Sequence, residues 1–298
     1  MGNLVEIHDL TVRFKDFAAL KKVNGRITNR PGVVGLIGPN GAGKTTLIHA
    51  IFGQEPVEHG QILIDQTAKL AYCPDTPEFE KYLTAREILQ QSLRLDNQRI
   101  NEKQILTALQ QVGLAEHQNR LVGGFSRGMK QRLGIAAANI LKPQLLFLDE
   151  PTSALDPFGR QAMLGLINEI AQTTTVVISS HLLNDIQQIA ERLLVLNRGE
   201  MIFSGALTDF IAGTDDSVEI LVKSVNAKDR VVAALQQCQI VVKEIQRHQI
   251  EFPAQDFEKG LGELSRLADD VVMINRSSQD LNHAFERWIH AKDKEKAK

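Results

Sequence analysis

Residues 38–45 read Gly38-Pro39-Asn40-Gly41-Ala42-Gly43-Lys44-Thr45, a G-x-x-x-x-G-K-[ST] pattern. The glycines let consecutive backbone N–H groups curl around an anion, and a helix opening at Gly43 adds the positive end of its dipole. In such a cradle Lys44 reaches the β- and γ-phosphate oxygens of a nucleotide, and the Thr45 hydroxyl is a magnesium ligand. Thr46 follows in the same helical turn and completes the candidate nucleotide contacts. A second chemical feature is the apolar run 145–148, which ends in Asp149-Glu150. At a strand's C-terminal end Asp149 can hold Mg²⁺, and Glu150 is placed to orient or deprotonate an attacking water. Alone, an apolar strand ending in acids is weak evidence. Beside a phosphate cradle it is strong.

Between these two features lies Phe125-Ser126-Arg127-Gly128-Met129-Lys130-Gln131-Arg132-Leu133. Ser126 can cap a helix whose free N–H groups point at an anion, and Gly128 allows close approach of a phosphate to the backbone. This segment resembles the Leu-Ser-Gly-Gly-Gln signature of the ATP-binding cassette (ABC) superfamily. Ser126 and Gly128 match it, whereas Phe125, Arg127 and Met129 depart from it. The resemblance covers residues 4–210 and implies a P-loop ATPase that binds ATP and Mg²⁺. It also implies that Ser126 and Gly128 face the ATP held by a second cassette. By the same resemblance, Asp156 is the acidic residue of a loop crossing the dimer interface, and His181 is the switch histidine that contacts the γ-phosphate. Phe14 falls where the family stacks an aromatic ring on adenine; Phe17 in that role, or Phe14 as core, are the alternatives. Asp75 stands where the family has Gln or Glu, and a shorter carboxylate there is a candidate third magnesium ligand with reduced reach. Pro77, Phe79, Tyr82 and Leu83 fall in the groove that receives a helix of the membrane partner, with ordinary core packing the equal alternative.

The elements that must position these residues are legible in outline. Residues 33–37, 145–148 and 175–178 are short continuous apolar runs, as expected of strands buried on both faces of a parallel sheet. Helical stretches separate them, so the fold class is α/β. Residues 5–7 with 11–14, and then 25–27, read as two N-terminal strands, residues 84–113 as a helical insert, and 193–196 with 201–203 as a closing hairpin. The expected domain is 1–213, with a helical subdomain at about 75–140. Residues 214–298 read as a second, small α+β domain. Its strands at 218–222, 240–244, 248–252 and 271–274 and its helices at 227–237 and 256–268 give the ferredoxin-like order βαββαβ. A last helix carries Leu281, Ala284, Phe285, Trp288 and Ile289 at helical spacing, followed by a charged tail at 292–298. Trp288 and Phe285 read as domain core in preference to a binding box.

Composition narrows the function classes. The formal net charge of −2 forces no basic surface on the chain, which argues against a dedicated nucleic-acid binder. No apolar run approaches the roughly 20 residues of a membrane helix, and the N-terminus lacks a signal-peptide pattern. Cys73 and Cys238 have no CxxC companion, so both are expected to be free thiols in the cytosol. The expected role is therefore the ATPase subunit of a membrane ABC transporter on the cytoplasmic face, paired with a second cassette and driving a separate transmembrane permease. The style of the signature, with the C-terminal accessory domain, resembles prokaryotic exporter subunits. A non-transport ABC ATPase acting on DNA or ribosomes, or a regulatory nucleotide-binding module, are the alternatives. A membrane protein encoded next to this chain would discriminate between them.

Overall fold

The computed structural model describes residues 2–153, 155–212, 217–277 and 280–296. The chain forms two compact units, Met1–Leu207 and Thr208–Lys298. The domain boundary expected at 213–214 lies outside the described residues. Along the first unit run β1 (Asn3–Phe14), β2 (Phe17–Thr28), β3 (Gly32–Ile37), α1 (Lys44–Ile51), β4 (His59–Ile64), β5 (Leu70–Cys73), α2 (Ala85–Leu95), α3 (Glu102–Gln111) and α4 (Arg127–Asn139). They are followed by β6 (Leu145–Asp149), α5 (Pro157–Ala171), β7 (Thr175–Ser180), α6 (Leu183–Ile189), β8 (Arg192–Asn197) and β9 (Glu200–Ala206).

A six-stranded sheet has the order β5-β6-β7-β3-β8-β9, parallel except for the last strand. Every residue of β3, β6 and β7 is buried, because both faces of the sheet are covered, by α5 and α6 on one side and by a core shared with α1, β1 and β2 on the other. The register sets the site. Ile37 pairs with Ser180 and Asp149 with Ser179, so the residues that follow these strands emerge side by side at one sheet edge. That edge, beyond the carboxyl ends of parallel strands, is where α/β sheets bind ligands.

A second sheet, β2-β1-β4, is antiparallel. Its first strand joins residues 5–7 and 11–14, the pair read together as the first of two N-terminal strands. β1 runs unbroken through an irregularity at Asp9, which has φ of 47° and donates its N–H to Asn24 Oδ1 (3.0 Å). The bulge breaks the alternation of buried and exposed residues, so the sequence looks interrupted there. The helical insert is α2, α3 and α4. Thr84 and Glu87 form a capping box on α2, Ser126 caps α4 by accepting from Met129 N, and Asp156 caps α5 with Pro157 in its first turn.

The second unit begins within α7 (Leu207–Ala212) and contains β10 (Ser217–Val222), α8 (Val225–Gln237), β11 (Lys243–Gln246), β12 (Gln249–Pro253), α9 (Phe257–Arg266), β13 (Val271–Ser277) and α10 (Leu281–Lys296). Its antiparallel sheet has the order β11-β12-β10-β13, the split βαβ arrangement. The strand read at 240–244 begins only at Lys243. Ile240 instead belongs to the end of α8: Gln239 turns left-handed (φ 61°) and Ile240 N donates to Leu235 O, which buries Ile240 in the core. Trp288 stacks on Phe210 with ring centroids 5.4 Å apart and donates its indole N–H to Phe210 O (3.2 Å), so its ring is half-buried against the fully buried Phe210.

Candidate functional site

Beyond β3 the chain turns through Gly38–Gly43 into α1, which begins at Lys44. Two glycines make the cradle possible. A Cβ on Gly38 would sit 2.2 Å from Leu196 O, and Gly43 holds φ of 103° with Ala19 O 2.8 Å from where a Cβ would be. Lys44 is buried, and its ammonium donates to Gly38 O (2.8 Å) and Pro39 O (3.4 Å) across the loop. Burial holds its pKa below the ordinary lysine value, and the negative charges of Glu150 and Asp149 oppose that shift. A desolvated cation inside a ring of amides is a site prepared for an anion.

Thr45 donates its hydroxyl to Asp149 Oδ2 (3.0 Å), so two oxygen ligands meet at the mouth of the loop. A hydroxyl and a buried carboxylate are the donor set that a small hard cation takes, and the pair fits Mg²⁺. Asp149 Oδ1 accepts a hydrogen bond from Ser179, and Tyr72 reaches Oδ2 at 3.4 Å. Burial, reinforced by the Asp149 charge, raises the pKa of the Tyr72 phenol, which keeps Tyr72 a neutral donor to that carboxylate. Sequence reasoning missed Tyr72 and Ser179 as partners of Asp149. Only the pairing of β5 and β7 with β6 brings them there.

Glu150 adopts φ of 45°, an uncommon backbone region for a non-glycine residue. Its N–H is held by both Ser179 Oγ (2.9 Å) and Ser179 O (3.1 Å), which fixes the turn. One carboxylate oxygen lies 4.0 Å from Lys44 Nζ and the other accepts from His181 Nδ1 at 2.8 Å. Lys44, Thr45, Asp149, Glu150 and His181 thus converge, each at the end of a buried strand or the start of the helix that follows.

The remaining candidates lie elsewhere. Phe14 and Phe17 are partners in register at the β1–β2 turn, 41% and 63% exposed, so both rings are available for stacking. Thr46 is half-buried in α1. Ser126, Gly128 and Asp156 form no hydrogen bond with the Lys44–Glu150 group among the described residues; Ser126 and Asp156 cap their own helices and are exposed. Asp75 joins neither Thr45 nor Asp149 by a hydrogen bond among the described residues. Its carboxylate binds Arg127 and Ser153 instead. Of the groove residues, Pro77 is buried against α4, where its Cγ would lie 2.7 Å from a Cβ on Gly134, whereas Tyr82 is 86% exposed. Cys73 is buried beside Gln131, and desolvation pushes its thiol up to about 12.

A phosphate loop ahead of a buried cation, with a strand-end Asp-Glu pair and a histidine bonded to that Glu, is the arrangement of a P-loop nucleotide hydrolase. Residues 20–153 match the ABC transporter family. Over 300 residues the chain is 31% identical to the ABC transporter ATP-binding protein YxlF of Bacillus subtilis (strain 168), covering 97% of this chain and all of that protein. It is 32% identical over 231 residues to the linearmycin resistance ATP-binding protein LnrL of the same organism, covering 70% of this chain and 74% of that one. A solved structure of an ATP-binding subunit of an ABC transporter superposes with a TM-score of 0.63 at 28% identity, over 70% of this chain and 92% of the other. The chain belongs to the ATP-binding subunits of ABC transporters, a family that hydrolyses ATP to power transport.

Proposed function

We propose that this chain is the ATPase of a membrane exporter, closing with a second cassette around two Mg-ATP at the cytoplasmic face and driving a separate transmembrane permease. The observation that carries this reading is the convergence of Lys44, Thr45, Asp149, Glu150 and His181 at one sheet edge. The amides of residues 38–45 bind the β- and γ-phosphates, and the Lys44 ammonium leaves Gly38 O to pair with their oxygens. Thr45 and Asp149 would hold Mg²⁺, which when bound supplies neutralisation of phosphate charge. Glu150, with one oxygen held by His181, keeps the other for the attacking water and takes its proton. His181 fixes the orientation of that base.

Each site is complete only with the N-terminal tip of α4 from a second copy. Ser126 and Arg127 at that tip are exposed in a single chain, which leaves the end of α4 accessible to a second copy. Export is supported by the similarity to a linearmycin resistance subunit. Among the described residues no helix is long and apolar enough to cross a membrane, consistent with a permease on a separate chain. Exposed Tyr82 is a candidate contact with that permease.

The test is Glu150→Gln. The neutral amide keeps the volume of the side chain and cannot accept the proton, so turnover falls by about 10²–10⁴ while ATP still binds. In Mg-ATP this variant elutes as a dimer. Elution as a monomer with ATP bound contradicts the two-cassette site.

A further inference from the structure

We infer that Asp75 is a positioning residue for hydrolysis, anchoring the tip of α4 to the loop after Glu150 through Arg127 and Ser153. Three chain segments meet at its carboxylate. Arg127, the first residue of α4, places Nη2 3.2 Å from each Asp75 oxygen. Ser153 donates its hydroxyl to Oδ1 at 2.7 Å, and Thr76 reaches Oδ2 at 3.4 Å. Both oxygens are therefore engaged by protein donors, and the carboxylate is turned toward α4.

The anchor leads directly to the general base. Ser153 N donates to Glu150 O at 3.1 Å, so the turn that carries Glu150 ends on the residue pinned by Asp75. On the other side, the place of a Gly128 Cβ lies 3.0 Å from Leu155, which brings the helix tip against the same loop. Asp75, Arg127, Gly128, Gln131, Glu150 and Ser153 share the wall of a cavity of only about 10 Å³.

The two residues of this ion pair are both departures from the family pattern: Asp75 stands in place of Gln or Glu, and Arg127 in place of the first signature glycine. The structure sets one departure against the other. Side chains 42% and 54% exposed contribute little to global stability as a pair. Their consequence is geometric. They fix the distance between the end of α4, which reads the neighbouring ATP, and the turn that aims Glu150.

The proposal rests on the hydrolytic reading above, so its test has an arm that needs no nucleotide. Hydrogen exchange of the first turn of α4 in the nucleotide-free full chain should accelerate in Asp75→Ala and in Arg127→Ala, and be restored toward wild type in Asp75→Glu. In the ATPase arm, Asp75→Ala and Arg127→Ala each lower kcat about tenfold with KM for ATP within about twofold, the cost of a misplaced group. The double variant falls no further than Asp75→Ala, which already removes the Arg127 contact along with that of Ser153. The magnesium concentration for half-maximal activity stays unchanged in Asp75→Ala. A shift of that concentration by about tenfold or more assigns Asp75 to the metal and overturns the anchor. So does unchanged exchange in α4, or multiplicative losses in the double variant. Loss of all ATPase activity in the wild-type chain would instead sink the hydrolytic reading and leave the exchange result to be judged alone.

Discussion

Lys44→Met separates the two opposing roles of the buried ammonium. Methionine keeps most of the volume of the side chain, so little cavity forms. The Glu150 carboxylate at 4.0 Å attracts the ammonium by about 4 kcal/mol at an effective dielectric near 20. The pKa of Lys44 is nevertheless lowered, with burial the largest cause, so desolvation outweighs the attraction of Glu150 and Asp149 combined. Without nucleotide, the variant should therefore match or exceed the wild type, within about 1 kcal/mol, instead of losing the roughly 2–5 kcal/mol of a large-to-small core change. For a chain of this size 1 kcal/mol corresponds to about 2–4 °C in Tm. At ATP near 100 times its Kd the wild type gains about 2.7 kcal/mol, and the variant gains none of it. The pH dependence has a definite sign. Below the ordinary lysine value of 10.5 the unfolded chain holds the Lys44 proton more tightly than the folded chain, so the contribution of Lys44 to folding improves as pH rises toward that value. The advantage of Lys44→Met over wild type should therefore shrink across that range. Thermal and urea melts with and without Mg-ATP read all three effects. A loss above about 2 kcal/mol without nucleotide, or an ATP shift equal to wild type, refutes the electrostatic argument.

Three further outcomes are expected. Gly43→Ala must place a Cβ 2.8 Å from Ala19 O at φ of 103°, so it should cost about 2–4 kcal/mol by urea melt and weaken nucleotide binding. A silent substitution would mean the loop is plastic. Cys73 is buried with its pKa raised, so in native protein a thiol reagent at pH 8 should modify Cys238 and spare Cys73 until unfolding. Because the folded form retains the Cys73 proton, this thiol favours folding below its ordinary value of 9.0 and loses that contribution as pH climbs toward about 12. Phe14→Ala should raise KM for ATP about three- to tenfold with little change in Tm, the size of one aromatic stacking contact. An effect confined to Phe17→Ala would move the adenine to the neighbouring ring.

The chemistry of this chain was readable wherever it sits in contiguous residues. Gly38–Thr45 and Asp149-Glu150 declare themselves because a phosphate loop and a strand-end acid pair are local patterns set by backbone geometry. The buried runs in β3, β6 and β7 were equally plain, since a strand covered on both faces must be apolar throughout. What escaped is relational. Tyr72 and Ser179 bind Asp149 only because β5 and β7 flank β6, an adjacency that crosses most of the domain. A bulge at Asp9 interrupts the alternation of β1, and β4 went unread although it ends in Ile62-Leu63-Ile64, because the run is only three residues long and none of it is fully buried. Arg127 and Asp75 each stood out as departures from a family pattern, yet their pairing needed coordinates.

The central claim is that hydrolysis requires Glu150 from one chain and Ser126 from another. Glu150→Gln and Ser126→Arg should each be inactive alone while still binding ATP. Mixed in equal amounts, they form heterodimers in which one site joins the intact Glu150 of one chain to the intact Ser126 of the other. ATPase activity of the mixture should return to about a quarter of wild type, since half the dimers are mixed and one of their two sites is whole. No recovery beyond the sum of the separate variants would contradict the shared site.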